Sequence, residues 1–332
     1  MKSNGLIMNE KDQRRLERKI FKDFLNKKEF SPFEKDSLRA LRATLDAAYN
    51  FYHEDFYRYL MNNKDTLDSV VKSLDSESKK VVDSILKDAE YISVCNFVDM
   101  LQDFFSKDEE IFKHLELAKS CRHFKLDQQN YYEQNIFDYQ HGLVFLPEET
   151  LNFLNDKDFI DCGAYIGDSA IIFEKYFNPR KIHAFEPDIK NYASLLETIR
   201  LNDLKKVVPI KMGVGANEDE VNFLLWHSLS KIISDYSDNK IEVTTIDKYV
   251  VDRNLDVGLI KMDIEGLELD ALKGAVRTIN EFKPVLSISN YHDAKQFIDV
   301  IKFVQELSLD YKIIIRHLSD LIPIMETFVI AW

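Results

Sequence analysis

The stretch Asp158-Phe159-Ile160-Asp161-Cys162-Gly163-Ala164-Tyr165-Ile166-Gly167-Asp168 decides the fold of this chain. It begins as a short apolar run and continues into a turn marked by two glycines. A helical pattern follows over 169–177, and a second apolar run ends at Glu186. This order of strand, tight turn, helix and strand is typical of the nucleotide-binding half of an open α/β sheet. The stretch therefore predicts a ligand site at the carboxyl ends of the first two strands.

The spacing of the two glycines indicates which class of ligand fits. A dinucleotide-binding loop reads G-x-G-x-x-G, whereas this loop reads D-x-G-x-x-x-G from Asp161 to Gly167. Asp168 places a carboxylate at the start of the helix, where a phosphate would otherwise bind. This counts against NAD, FAD and ATP and favours a nucleoside that carries positive charge, as S-adenosylmethionine (SAM) does. Glu186 lies nineteen positions after Gly167, where an acid is expected to bind the ribose hydroxyls.

Further residues are expected around such a ligand. Asp168 has two roles that can coexist, as N-cap of the helix over 169–177 and as a ligand contact. Asp161 is expected to fix the loop and the amino-acid end of SAM. The remaining predicted cofactor-binding residues lie in the loop or follow the second and third strands: Cys162, Gly163, Ala164, Gly167, Pro187, Met212 and Gly213. The last two are expected to flank the adenine.

Composition limits the class of protein. The 332 residues are 45% hydrophobic and 12% aromatic, enough for about two domains with a sizeable core. A formal net charge of −13 argues against a nucleic-acid-binding face, which needs clustered Lys and Arg. Three cysteines at long spacings indicate neither a disulfide framework nor a zinc site. Because the chain shows no apolar signal segment and no apolar run of ~20 residues, we expect a cytoplasmic protein without a membrane span.

Glycine and proline divide the chain into two regions. Glycine is absent from Leu6 to His141, and Pro32 is the only proline there. Because these residues mark turns, the first region should consist of long helices, and apolar spacing predicts them over 9–28, 35–62, 66–87, 89–105 and 109–119. We therefore predict a helical domain at 1–121, a connector at 122–150 with a short hairpin at Gly142–Phe145, and a second domain at 151–332.

Beyond Lys157 the pattern alternates between strands and helices. Strands are predicted over 158–162, 181–186, 207–212, 257–263, 284–289, 311–316 and 324–331, and helices over 169–177, 188–201, 266–280 and 293–307. Alternating units predict a mainly parallel sheet with helices on both faces. No helix separates the last two strands, so they must pair antiparallel. An inserted pair, Val221–Leu225 and Ile241–Thr245, brackets a polar loop.

A later motif carries a specific resemblance. Lys261-Met262-Asp263-Ile264-Glu265-Gly266-Leu267-Glu268, followed by Leu272-Lys273-Gly274-Ala275, resembles the K-x-D-x-E-G-x-E and L-x-G-A segments of FkbM-type methyltransferases. Thr245-Ile246-Asp247, Tyr291-His292 and Glu326-Thr327 match other segments of that family. The resemblance covers about 140–332. It implies an α/β class I methyltransferase (Rossmann-like) fold, a doubly wound sheet with an antiparallel C-terminal hairpin. It also implies SAM as cofactor and methylation mostly of hydroxyl oxygens of sugars and natural products.

The strand ends supply the candidates for chemistry. Methyl transfer depends mainly on positioning, but an alcohol acceptor must lose its proton as it attacks. His292 is the leading candidate for that base, with a structural hydrogen-bonding role as the alternative, and Tyr291 is a candidate substrate contact. Asp263 and Glu265 together suit a divalent cation. No third ligand is evident, so we expect no metal. Asp263 should contact the methionine end of the cofactor or the substrate, and Glu265 should cap the helix over 266–280 and anchor the loop. Glu265 is also a candidate substrate contact.

These expectations describe a SAM-dependent O-methyltransferase that acts on a hydroxyl of a sugar, a glycan precursor or a related metabolite. The alternative is a scaffold or assembly protein that keeps the SAM fold and acts through its helical region. The joint presence of Glu186, Asp263, Glu265 and His292 favours the enzyme. A small-molecule or carbohydrate acceptor is expected rather than nucleic acid. The aromatic residues of the helix over 35–62 suggest a homo-oligomer.

Overall fold

The computed structural model describes residues 10–53, 55–126, 133–226, 229–232, 240–307 and 309–332. The helices that precede the sheet are α1 (Glu10–Leu25), α2 (Pro32–Tyr52), α3 (Phe56–Asn62), α4 (Lys64–Val71), α5 (Ser76–Val94), α6 (Phe97–Phe104), α7 (Asp108–Ser120), α8 (Gln134–Phe137) and α9 (Glu148–Phe153). Later helices are α10 (Asp168–Tyr176), α11 (Ile189–Asn202), α12 (Ile246–Arg253), α13 (Glu268–Lys273), α14 (Val276–Phe282) and α15 (Ala294–Glu306). The strands are β1 (Asp158–Cys162), β2 (Lys181–Phe185), β3 (Val207–Ile210), β4 (Gly213–Val214), β5 (Asp219–Trp226), β6 (Leu229–Ile232), β7 (Lys240–Thr244), β8 (Val257–Met262), β9 (Val285–Ser289), β10 (Ile313–His317) and β11 (Thr327–Ala331).

A seven-stranded sheet organises the second region, in the order β10-β11-β9-β8-β1-β2-β3. The strands from β9 to β3 pair in parallel, and β11 runs antiparallel between β9 and β10. This confirms the predicted doubly wound sheet with its antiparallel C-terminal pair. The strand order reverses between β1 and β8. The loops after these two strands therefore flank a crevice, where open α/β sheets bind their ligands.

The central strands have apolar sequences because they are buried on both faces. Every residue of β1, β8, β9 and β11 is buried, as expected for strands covered by helices on both faces. The inserted pair also forms: β5 and β7 pair antiparallel in a second, four-stranded sheet of order β4-β7-β5-β6. The predicted polar loop between them lies partly outside the described residues.

Two predicted boundaries in the helical region are wrong, and local capping explains one of them. The helix expected over 35–62 is α2 and α3, with a break after Tyr52. The break expected near 88 lies instead between α4 and α5, because Asp75 is the N-cap of α5 and accepts a hydrogen bond from the Ser78 amide. Ala89 is therefore buried inside a helix rather than at its start.

Two corrections apply to the connector and to the helix after β8. The hairpin expected at Gly142–Phe145 is a 3₁₀ helix over Gln140–Phe145. The helix expected over 266–280 is divided into α13 and α14. Gly274 stands at the division, where a Cβ atom would lie 2.0 Å from the carbonyl oxygen of Gly215. The close approach of these two backbones requires glycine there.

One hydrophobic core runs through both regions of the chain. The helices α3 and α4 pack on α15, and α5 packs along β10. Several hydrogen bonds join the regions. Among them, the hydroxyl of Tyr52 donates to the carbonyl of Tyr291, and the amide of Ile315 donates to the hydroxyl of Ser78. The helical region therefore covers one edge of the sheet. Its division from the sheet as a separate domain stays a prediction.

Candidate active site

The glycine loop after β1 lies against the end of β8. Gly163 has a φ of +80°, and a Cβ atom on it would lie 1.9 Å from the carbonyl oxygen of Asp263. The amides of Gly163 and Ala164 both donate to the carbonyl of Phe185 at the end of β2, at 3.0 and 2.9 Å. The loop is thus fixed between the carboxyl ends of three strands, and only glycine fits at its closest approach.

Glu186 follows β2 and faces this loop. Its Oε2 accepts the amide of Tyr165 at 3.0 Å, and its Oε1 accepts the amide of Asp188 at 2.8 Å. The residue is 5% exposed, and burial raises the pKa of its carboxyl group to about 7. A carboxylate with two oxygens keeps accepting capacity beyond these two bonds. Glu186 therefore lies beside the glycine loop with accepting capacity left on its carboxylate, and its contact with the ribose hydroxyls stays a prediction.

Asp161 and Lys261 form a buried ion pair under the loop. Lys261 Nζ lies 3.0 Å from Asp161 Oδ1 and donates to the carbonyl of Gly163 at 2.7 Å. Burial opposes the charge on Lys261, but Asp161 and then Asp263 outweigh it and raise its pKa to about 12. Asp161 thus acts on the loop through Lys261, which the sequence analysis did not single out. The sequence feature that could have identified Lys261 is the presence of a lysine inside an otherwise apolar strand.

Asp168 does not have the predicted capping role. The N-cap of α10 is Gly167, which has a φ of +90°, and Asp168 is the first residue of the helix. The Asp168 carboxylate accepts the amide of the next residue, Ser169, at 2.8 Å. It is 1% exposed. A ligand contact through Asp168 stays a prediction.

The other predicted cofactor residues surround the loop at different depths. Cys162 and Ala164 are fully buried, and burial raises the pKa of the Cys162 thiol. Pro187 is half-buried beside Glu186. Met212 and Gly213 follow β3, whose last carbonyl, on Ile210, accepts the amide of Glu186. The ends of β2 and β3 are therefore adjacent, and adenine contact by Met212 and Gly213 stays a prediction.

A histidine surrounded by carboxylates lies on the other side of the crevice, at the ends of β8 and β9. His292 Nδ1 lies 3.1 Å from Glu268 Oε1. Its Nε2 lies 3.5 Å from both Asp263 Oδ1 and Glu265 Oε2. The side chain of His292 is 5% exposed, while those of Asp263 and Glu265 are 22% and 31% exposed. The structure thus brings together three residues that the sequence analysis predicted and one, Glu268, that it missed.

The surrounding acids control the charge of His292. Burial lowers the pKa of its imidazole, but Glu268, Glu265 and Asp263 outweigh that effect and raise it to about 10. Burial also raises the pKa of Glu265 to about 7, although His292 opposes this shift. At neutral pH the imidazole therefore carries a proton. A proton acceptor at this position must first lose that proton.

Glu268 performs the loop-anchoring role that was predicted for Glu265. Its Oε1 accepts the amides of Ile264 and Gly266 at 2.9 and 3.3 Å, and the hydroxyl of Ser289 at 3.1 Å. It is also the first residue of α13, so Glu265 lies outside the helix that it was expected to cap. Glu265 itself has a φ of +58°. Glu268 is the last acid of the K-x-D-x-E-G-x-E motif, and this position in the motif could have indicated its role.

Comparison with known proteins identifies this arrangement. Residues 161–313 match the family model of the methyltransferase FkbM domain. This part of the chain, which is similar to the methyltransferase FkbM domain, is called the FkbM domain below. The match confirms the resemblance that the strand-end motifs indicated, and it contains both the glycine loop and the acids around His292.

The chain is similar to several solved methyltransferase structures. A methyltransferase FkbM from Methylobacillus flagellatus KT is 23% identical with a TM-score of 0.58, and the match covers 85% of this chain and 62% of that chain. The present chain thus spans less than two thirds of that protein. An rRNA methylase from Streptococcus thermophilus matches with a TM-score of 0.38 and 13% identity, over 60% of this chain and 96% of that chain. A putative methyltransferase from Streptococcus mutans in complex with SAH matches with a TM-score of 0.36 and 14% identity, over 55% and 95%. No curated protein matches the chain.

Two residues outside the FkbM domain contact Tyr291. Glu326 precedes β11, and its Oε1 accepts the hydroxyl of Tyr291 at 3.2 Å. The same hydroxyl lies 3.5 Å from Asp263 Oδ1. Tyr52 of α2 donates to the backbone of Tyr291, so both the helical region and the last strand support this side of the crevice. Burial raises the pKa of Tyr291, and Asp263 and Glu326 raise it further.

Crossing a bilayer requires a helix of sufficient length and apolar character. None of the helices in the described part of the chain combines the two.

Proposed function

We propose that this protein is a SAM-dependent O-methyltransferase that transfers a methyl group to a hydroxyl of a sugar, a glycan precursor or a related metabolite. The FkbM domain and the crevice between β1 and β8 support a methyltransferase. The observation that carries the cofactor assignment is Glu186, which faces the glycine loop with both carboxylate oxygens held by backbone amides. An acid fixed in this way is suited to the two ribose hydroxyls of SAM.

Each side of the crevice has its own task in this proposal. On one side, Glu186 holds the ribose, Asp161 and Lys261 fix the loop, and Met212 with Gly213 flanks the adenine. Asp168 lies behind the loop with its carboxylate at the start of α10. This side contributes positioning, which is the main requirement for an in-line displacement.

On the other side, Asp263 and His292 face the place where an acceptor would lie. The acceptor oxygen forms a bond to the methyl carbon, the carbon–sulfur electron pair stays on sulfur, and the hydroxyl proton passes to a nearby base. We assign His292 to this chemistry, with Tyr291 as a substrate contact. Because three carboxylates keep its imidazole charged at neutral pH, it accepts the proton only after losing its own.

Calorimetry tests the cofactor assignment. We expect SAM and its demethylated product to bind the full chain and NADH not to bind. Glu186→Gln should weaken SAM binding by about 1–3 kcal/mol, because one backbone amide and the ribose lose a charged acceptor. Glu197→Gln is the matched control, since Glu197 lies on α11 at the surface, in an ion pair with Arg200. Equal SAM affinity in the two folded variants would remove the ribose assignment.

A methyl-transfer assay then tests the acceptor class. SAM with a labelled methyl group is incubated with nucleotide sugars, glycan precursors and matched amine compounds. Label in the hydroxyl compounds is the expected result. Label only in the amines would overturn the O-methyl assignment, and SAM binding without transfer to any acceptor would favour a scaffold.

A further inference from the structure

The acids around His292 are more numerous than a single imidazole needs. Within the described residues, Asp263, Glu265 and Glu268 each lie within 3.5 Å of one of its nitrogens. Glu326 adds a fourth acid, joined to Asp263 through the hydroxyl of Tyr291. Its Oε2 is buried and has no hydrogen-bond partner among the described residues. Carboxylates crowded in this way are stabilised either by binding protons or by binding a cation.

The two nitrogens of His292 have different surroundings. Nδ1 lies at hydrogen-bonding distance from Glu268, at 3.1 Å, and Glu268 is in turn fixed by the amides of Ile264 and Gly266. A histidine whose second nitrogen is held by a carboxylate has the orientation that metal-binding histidines have. Glu268 thus fixes both the ring plane and the direction in which Nε2 points.

The distances from His292 Nε2 to the two carboxylate oxygens match the spacing of ligand atoms around a shared cation. They are longer than a direct hydrogen bond. Nε2 lies 3.5 Å from one oxygen of Asp263 and 3.5 Å from one oxygen of Glu265. Protein hydrogen bonds of this type are shorter, about 2.7–3.2 Å. Ligands about 2.0–2.2 Å from a shared divalent cation lie roughly 3–3.5 Å from one another. Among the described residues, one donor atom each from Asp263, Glu268 and His292 lies within 4.8 Å of the others, a spacing that a metal ion can bridge. Because Glu268 Oε1 already accepts two backbone amides and lies at Nδ1, we take Glu265, which lies at Nε2, as the ligand in its place.

We propose that His292 Nε2, Asp263 and Glu265 bind a divalent cation of the Mn²⁺ class, with Glu268 as the positioning residue behind His292. Two carboxylates and one imidazole favour a first-row divalent cation over Ca²⁺, which prefers oxygen ligands only. The third ligand that the sequence did not reveal is therefore His292, which follows β9 rather than β8. This reverses the expectation that Asp263 and Glu265 work without metal.

The use of this cation rests on the proposed function. A cation at the acceptor side would bind the acceptor hydroxyl and lower its pKa, so that it loses its proton more easily. His292 would then act as a ligand rather than as the base. Two neighbouring hydroxyls, as in a sugar, would suit the remaining coordination positions.

Direct cation binding tests the site without any assay of activity. Full-length, chelator-treated protein is titrated with Mn²⁺, and the loss of the free-ion EPR signal is measured with and without SAM. We expect one Mn²⁺ per chain in the wild type. His292→Ala and Glu265→Gln should lose this binding, and Glu268→Gln should weaken it by about 10–100-fold, as for residues that orient a ligand. Asp270→Asn is the matched control, because Asp270 is an exposed acid of α13 paired with Lys273.

Each outcome separates this proposal from the proposed function. No binding at millimolar Mn²⁺, or equal binding by folded Glu265→Gln and Asp270→Asn proteins, would overturn the metal site. Circular dichroism checks that His292→Ala is folded. If His292→Ala does not fold, Glu265→Gln still tests the site, because it alters only a partly exposed side chain. In parallel, calorimetry measures SAM affinity in the presence of chelator. This shows whether the cofactor site binds SAM even if no metal site exists.

Discussion

The helical region and the sheet region bury polar groups for different purposes. In the helices, Glu34, Ser37 and Ser78 are buried, and each makes a local bond that starts or lines a helix. In the sheet region, five buried ionisable residues lie at or near the carboxyl ends of strands: Asp161, Glu186, Lys261, Glu268 and His292. Asp158, a buried acid at the start of β1, is paired with Arg180 instead. Buried charges are costly unless they are paired. Their concentration at the carboxyl ends of the strands therefore indicates a functional site, whereas the buried polar groups of the helical region stabilise its helices.

Gly163→Val should have the largest effect on the sheet side of this comparison. A side chain there would meet the Asp263 carbonyl at 1.9 Å in a backbone conformation that valine rarely adopts. We expect loss of SAM binding, measured by calorimetry. Gly258→Ala is the control at the amino-terminal end of the central strand β8, where the added Cβ meets the Lys157 side chain at 2.5 Å. It should lower the melting temperature and leave SAM binding intact. Normal SAM affinity in Gly163→Val would place the cofactor elsewhere.

His292→Ala should separate turnover from cofactor binding. We expect turnover to fall by about 10²–10⁴-fold, the range for loss of a group that handles a proton in the reaction. SAM affinity should stay the same, because Glu186 and the glycine loop lie on the other side of the crevice. Steady-state kinetics and calorimetry check the two parts. Near-normal turnover would make His292 a structural residue.

The affinity for SAM should rise with pH through about 7. Burial raises the pKa of Glu186 to about 7, and hydroxyl donors bind its charged form, so protonation below that pH competes with SAM. The same shift contributes to the stability of the fold. This contribution is complete below the ordinary pKa of 4.5 and is lost as the pH rises through about 7. Calorimetry across this range checks the prediction. A Glu186→Gln protein should lack the pH dependence, and a wild type that lacks it would remove the role of Glu186.

Tyr52→Phe tests whether the helical region supports the site without taking part in it. The change leaves the buried carbonyl of Tyr291 without its donor, so we expect the free energy of unfolding to fall by about 1–3 kcal/mol. SAM affinity should be unchanged. Denaturant unfolding and calorimetry measure the two effects. A fall in SAM affinity would show that the helices complete the cofactor site and would break the comparison.

Glu34→Gln should give the smallest effect, confined to the helical region. Glu34 accepts the Ser31 amide in a capping box, and its Oε1 lies 3.1 Å from Lys119 Nζ. Burial raises its pKa, but these contacts outweigh it and lower the pKa to about 2. We expect a loss of about 0.5–2 kcal/mol in unfolding free energy. That contribution exists above the ordinary pKa of 4.5, so the difference from wild type should vanish as the pH falls from 4.5 to about 2.

The sequence predicted the parts of the molecule that follow from local patterns. The β1 loop, Glu186 and the order of the strands were visible because glycine spacing, alternation of elements and acids at strand ends are local signals. The antiparallel pairing of β10 with β11 followed from the missing helix between them. The FkbM resemblance placed Asp263, Glu265 and His292 near one another only because all three follow strands.

The errors arose where tertiary contacts decide the outcome. Lys261 reads as a strand residue, and only the fold shows that its amine reaches the Gly163 carbonyl. Glu268 and Glu265 are equivalent in the motif, and only the turn after β8 decides which of them anchors the loop. The break between α13 and α14 depends on Gly215, which lies far away in sequence. None of these contacts has a signal within one window of residues.

The hydroxyl of Ser78 has a consequence for solubility. The strand β10 is the edge of the seven-stranded sheet, and an edge strand offers unpaired amides to the strands of other molecules. The Ile315 amide of this edge is already bonded to Ser78 at 2.8 Å, and the same hydroxyl accepts a hydrogen bond from the Arg316 guanidinium. Since α5 lies along β10, the helical region shields the sheet from strand-to-strand association. A proteolytic cut that released the helices would therefore promote growth of the sheet into aggregates.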